Sequence, residues 1–176
     1  MDIEQLEKEK TVYRITPEIV ILDSDELIVL LAQAQVRTDK QGDTSEVISW
    51  LKAGNGAIPF VMFIDLEKIQ IFKWDSPNFS EPVCVLNTAE VLSPYGLKLP
   101  DQWISAYYLG GKTESWLRDL CHHWQLEKPP AEEQIAAIGL LPLLKDGTIQ
   151  PEVEIRIDSK LRYIVLRYFF PRPDYF

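Results

Sequence analysis

One segment, residues 27–37 (LIVLLAQAQVR), limits the possible folds of this chain more than any other. In an extended strand alternate side chains face opposite sides. The even positions Ile28, Leu30, Ala32, Ala34 and Val36 are all apolar. The odd positions begin apolar at Leu27, Val29 and Leu31 and end polar at Gln33, Gln35 and Arg37. One face of this strand is therefore core throughout, and the other opens onto something polar at its far end. Residues 13–23 (YRITPEIVILD) are rich in β-branched side chains and stop at the turn cluster Asp23-Ser24-Asp25, which predicts a hairpin. A two-residue turn at Ser24-Asp25 would pair Glu18 with Leu31 and place Glu18, Gln33 and Gln35 on one sheet face. A three-residue turn would turn Glu18 away unless a bulge restored the register.

Further along, Asp43 with Glu46 fits a capping box. Val47, Ile48 and Leu51 form the apolar stripe of a helix that Gly54 stops. Residues 59–74 read as a hairpin turning at 65–68, and residues 82–86 as a short strand. Thr88 is expected to cap a short helix ending before Pro94. Thr113 is expected to cap a longer one carrying Trp116, Leu117, Leu120, Cys121 and Trp124. The Pro129-Pro130 pair starts another helix through Ile135, Ile138 and Leu141. Val153, Ile155 and Ile157 alternate on a strand, and residues 161–170, apolar on nearly both faces, read as an inner strand completing a C-terminal hairpin. Residues 2–10 offer a helical turn around Ile3 and Leu6.

A length of 176 residues favours a single domain, 1–176. No run reaches the roughly 18–20 apolar residues of a membrane helix, and the polar N-terminus MDIEQLEKEK resembles no secretory signal. Cys84 and Cys121 read as free thiols, so a reducing, cytoplasmic location is expected. The net charge of −9 argues against a free-standing nucleic-acid binder. The basic residues Arg156, Lys160, Arg162, Arg167 and Arg172 do not share one strand face and read as a solvated edge.

Most apparent motifs have plain explanations. Gly111-Lys112-Thr113 looks like the end of a phosphate-binding loop, but Ala106 stands where that loop needs glycine, and Tyr107, Tyr108 and Leu109 crowd it. A glycine turn with a threonine cap is the better reading. Adjacent on a helix, His122 and His123 point about 100° apart and cannot close on one metal ion. One is expected at the core edge beside Trp124 and the other in solvent. Glu152, Glu154 and Asp158 read as a solvated strand face.

What remains is the first hairpin. Pro17-Glu18 on one strand, followed by Gln33-Ala34-Gln35 on the next, resembles the PD-(D/E)XK nuclease superfamily. The resemblance covers about residues 13–74, and residues 75–176 resemble the helical extensions of bacterial members. It implies an α/β fold: a restriction-endonuclease-like mixed sheet core with a helical extension and a C-terminal hairpin. It also implies a site in which two acids hold Mg²⁺ and a lysine orients the attacking water. Glu18 matches the first acid with one extra methylene. Gln33 stands at the second acid and Gln35 at the lysine, so two charges are gone, and an amide oxygen is a weaker ligand for a hard cation.

The leading expectation is a non-catalytic pseudo-nuclease, with no cofactor, acting through binding at the remnant site Glu18, Gln33 and Gln35. A divergent Mg²⁺-dependent DNA endonuclease would need a second acid, with Asp23 as the candidate to join Glu18 at the metal. A protein–protein interaction module without nuclease ancestry is the third possibility. Partners would be another protein, or a second copy reached through the aromatic tail of Tyr163, Tyr168, Phe169, Phe170, Tyr175 and Phe176.

Overall fold

The computed structural model describes residues 13–36, 43–98, 104–151, 153–158 and 163–167. The strands are β1 (Tyr13–Ile15), β2 (Ile19–Leu22), β3 (Ile28–Ala34), β4 (Phe60–Ile64), β5 (Lys68–Lys73), β6 (Cys84–Asn87), β7 (Thr148–Pro151), β8 (Val153–Ile157) and β9 (Tyr163–Arg167). The helices are α1 (Ser45–Gly54), α2 (Thr88–Leu92), α3 (Ala106–His122), α4 (Glu132–Ala137) and α5 (Leu141–Leu144), with a 3-10 turn at Ser93–Tyr95. The chain is mixed α/β. A six-stranded mixed sheet runs β6-β5-β4-β3-β2-β7, and a three-stranded antiparallel sheet runs β1-β8-β9.

Strand β3 lies inside the large sheet, antiparallel to β2 and parallel to β4. A parallel neighbour requires a crossover, which α1 provides. One face of the sheet presents Ile19, Ile21, Leu30 and Ala32 to Leu109, Trp116 and Leu117 of α3. The other presents Val20, Leu22, Leu31 and Val61 to Val47, Trp50 and Leu51 of α1 and to Ile15, Ile155 and Ile157 of the small sheet. Burying each such side chain stabilises the fold by about 1.5–3 kcal/mol before chain entropy is subtracted.

The hairpin turn differs from the expected two-residue form. Asp23 Oδ1 accepts from the N–H groups of Asp25 and Leu27, each at 2.9 Å, and Glu26 takes a left-handed φ of 61°. The connection therefore holds three residues between Asp23 and Leu27. A register shift follows, from Leu22 opposite Ile28 to Ile21 opposite Leu30. Val29 is the extra residue of a bulge, so consecutive Val29 and Leu30 face α3 while Ile28 faces α1. Tyr163 Oη of β9 accepts the Ile28 N–H at 3.0 Å.

Residues 13–22, expected as one strand, divide between the two sheets at residues 16–18, where Pro17 has no N–H to donate. Three helix starts also moved. Thr44, not Asp43, precedes α1, and Asp43 Oδ1 instead accepts from Ser45 N–H at 3.1 Å. Asn87 caps α2 by accepting from Glu90 N–H at 3.0 Å, which leaves Thr88 inside it. Ser105 caps α3, so Gly111-Lys112-Thr113 is helix interior rather than a glycine turn, and Thr113 Oγ1 donates to Leu109 C=O at 2.8 Å. Among the described residues, strand β9 is an edge of the small sheet rather than an inner strand. Glu154 is only 6% exposed, with Arg14 Nε at 3.7 Å and Arg156 Nε at 3.4 Å, so it is not on a solvated face. The expected turn at 2–10, Glu152, and the tail beyond Arg167 lie outside the described residues.

Candidate functional site

The ladder between β2 and β3 ends at Ile19 opposite Ala32, with Glu18 just before β2 and Gln33 near the end of β3. Their polar ends lie toward opposite faces of the sheet, Glu18 toward α3 and Gln33 toward α1. Gln33 Nε2 donates to Glu46 Oε2 on α1 at 3.0 Å. The Glu18 carboxylate accepts from Ala34 N–H, and its Oε2 lies 2.9 Å from where a Cβ on Gly110 of α3 would stand. A side chain at position 110 would displace that carboxylate, and Ala34 Cβ on the other side is 4.0 Å away.

Glu18 is exposed as a residue, yet its carboxyl is raised from the usual 4.5 to about 7. Burial of the carboxylate end is the main cause, the Ala34 N–H opposes it, and the negative charge of Glu46 adds to it. The oxygen against Gly110 reconciles exposure with desolvation.

Gln35 follows β3, with its N–H on Ile64 C=O at 2.8 Å. Asp23 sits at the opposite end of β2 from Glu18. Five residue steps of extended chain separate them, roughly 16 Å, so the two cannot share one ion. The carboxylate that does act on Glu18 is Glu46. Sequence reasoning had absorbed Glu46 into a capping box. Only the packing of α1 against β3 reveals it. Gly110 was likewise missed, although paired glycines inside a helix signal close packing.

Two carboxylates and a carboxamide are hard oxygen donors, but they do not fit the Mg²⁺ centre that the resemblance implies. Only Glu18 comes from the hairpin, the Gln33 amide is engaged by Glu46, and Gln35 supplies no positive charge. Among the described residues no group of three or more His, Cys, Asp or Glu side chains could hold a metal ion. Lys112, two residues past Gly110, lies over the Tyr108 ring at 5.1 Å.

The histidines are apart from this site. His122 Nε2 is 2.8 Å from Gly147 C=O, and His123 Nε2 is 3.2 Å from Glu132 Oε2. Trp124 is 52% exposed and does not form a core edge with either. Both cysteines are free thiols. Among the described residues no helix is long and apolar enough to cross a membrane.

Compared with family models, curated proteins and solved structures, the chain finds no match in any of the three. The class that the coordinates define is a mixed α/β protein with a six-stranded mixed sheet.

Proposed function

We propose that the chain is built on a restriction-endonuclease-like core whose nuclease site has lost its metal chemistry, and that it acts by binding a protein partner. Support for the core comes from order and direction: an antiparallel hairpin, a helix, then a strand parallel to the second hairpin strand. The single observation that carries the loss of activity is at Gln33. The position of the second acid is an amide, and that amide is held by Glu46. With Gln35 at the place of the lysine, neither hydroxide formation nor charge neutralisation at a phosphate has its group. The acidic chain and its two free thiols favour a partner met in a reducing compartment.

The test is restoration. Wild type should show no saturable Mn²⁺ binding by calorimetry at neutral pH, and Gln33→Glu with Gln35→Lys should gain a one-to-one site. Cleavage of DNA by the wild-type chain in Mg²⁺ or Mn²⁺, abolished by Glu18→Gln, would overturn the proposal. That result would support a divergent endonuclease instead, and Glu46 is the observation that favours this second reading.

A further inference from the structure

The helical part of the chain holds a cavity that the hairpin site does not use. The end of α3, together with α4, α5 and the loop before β7, lines an open hollow of about 440 Å³, within the range of small-ligand sites. Leu120, Cys121, Leu141 and Pro142 supply apolar wall, Glu132 and Asp146 supply carboxylates, and the basic groups come from both histidines and Lys145.

Two independent features mark this cavity as more than a packing fault. The first is Glu132 Oε2, a buried oxygen without a hydrogen bond among the described residues. His123 Nε2 approaches it to 3.2 Å, but not in hydrogen-bonding geometry. Buried acceptors are nearly always satisfied, so an orphan one facing a cavity points to a donor from outside. The second is backbone strain. Of five left-handed non-glycine residues among the described residues, His123 (φ 49°) and Asp146 (φ 59°) line this space, and Ala131 (φ 61°) directly precedes Glu132 in the chain. Such residues cluster at ligand clamps. The loop wall is fixed by Asp146 N–H donating to Cys121 C=O at 3.2 Å and by the His122 contact to Gly147.

We propose that this cavity binds a small molecule with a flat apolar body and an amidine or amine head, its N–H donating to Glu132 Oε2. The orphan group is an acceptor, so the ligand must bring a donor. Lys145, His122 and His123 line the space together with Asp146, and Glu132 Oε2 is the acceptor there without a hydrogen bond, so it sets the preference. Binding is non-covalent, because burial pushes the Cys121 thiol up to about 12 and keeps it protonated.

The test is an amide-shift titration of the full ¹⁵N-labelled chain with benzamidine, and with benzoate as the anionic counterpart of the same ring. Benzamidine should give saturable shifts confined to the end of α3, α4 and α5, and benzoate none. Glu132→Gln, which keeps the side-chain shape, should weaken benzamidine at least tenfold. Leu141→Trp, which fills the space, should abolish binding while the remaining spectrum stays folded. Absence of saturable shifts, equal binding to Glu132→Gln, or benzoate binding as well as benzamidine would each overturn the proposal.

Discussion

Gly110 and Gly111 are neighbours in the middle of α3, yet replacing them with alanine should have opposite consequences. Alanine in a helix interior is favoured over glycine by about 1 kcal/mol. At Gly111, which is exposed, a Cβ meets nothing within 4 Å, so Gly111→Ala should realise the whole gain. At Gly110 the same Cβ would stand 2.9 Å from Glu18 Oε2. The flexible carboxylate can swing into water, so the clash itself is relieved cheaply. Leaving removes the acceptor of Ala34 N–H, in a residue only 5% exposed, and a buried donor left without a partner costs about 1–3 kcal/mol. The balance for Gly110→Ala is neutral to destabilising by about 2 kcal/mol. In a chain of this size each 1 kcal/mol moves the melting temperature by roughly 2–4 °C, so thermal or urea unfolding resolves the pair. Carbon-13 NMR titration of Glu18 gives a second readout. Its pKa should fall from about 7 toward 4.5 in Gly110→Ala and stay put in Gly111→Ala. Equal stabilisation by both variants, with an unmoved Glu18 titration, would refute the argument.

Three further outcomes follow from the same geometry. The folded chain holds the Glu18 proton more tightly than the unfolded chain does, so this group favours folding below about pH 4.5 and the advantage is lost as pH rises through about 7. Glu18→Gln should flatten that part of the stability–pH curve, measured by urea unfolding across the window. Asp119, fully buried in α3, accepts from Tyr95 Oη at 2.6 Å and from the N–H groups of Gln125 and Leu126 at 3.0 and 3.2 Å. Asp119→Ala strands these donors and should cost about 3 kcal/mol or more in the same assay, and Tyr95→Phe about 1.5–3 kcal/mol. Tyr163→Phe removes the acceptor of Ile28 N–H beside the bulge; the loss should be about 1–2 kcal/mol, with faster hydrogen exchange at Ile28.

Much of the large sheet was legible because its signals are local. The alternation through Leu30, Ala32 and Ala34 marked β3 as core, and the polar step at 65–68 marked the turn between β4 and β5, where Asp65 Oδ1 accepts from Glu67 and Lys68 N–H, each at 2.8 Å. What failed was decided by tertiary contacts. Thr113 looks like a cap because Gly110 and Gly111 look like a break, but α3 continues through them, and at Gly110 the Glu18 carboxylate occupies the place next to a Cβ. Strand β9 is apolar like an inner strand, yet its only strand partner among the described residues is β8. For the candidate site, the approach of Glu18 to Ala34 and Gly110 depended on how the bent ribbon and α3 pack, which no residue type announces. The arrival of Glu46 depended on how α1 sits over β3, which its own stripe of Val47, Trp50 and Leu51 does not specify.

The position of Glu18 follows from a property of the whole ribbon. Tyr13 pairs with Ile157 and Ile15 with Ile155 in the small sheet, while Ile19 pairs with Pro151 and Leu22 with Thr148 in the large one. The offset is the same throughout, so one antiparallel ribbon passes through both sheets and bends at residues 16–18. Strands that switch sheets turn such corners with bends or bulges. The bend draws residues 16–18 away from the end of β3, past the last ladder pair of Ile19 and Ala32, and the Glu18 carboxylate takes the Ala34 N–H there. Glu18 therefore has a structural task whatever the site does, and loss of function in Glu18→Ala alone would be ambiguous. Comparison with Glu18→Gln removes the ambiguity. The glutamine retains an acceptor for Ala34 and should keep the fold, whereas alanine should cost about 1 kcal/mol or more. A binding function that relies on the shape of this corner should survive Glu18→Gln and weaken in Glu18→Ala, with partner affinity tracking stability. A function that needs the carboxylate charge should fail equally in both, and that result would refute the non-catalytic reading.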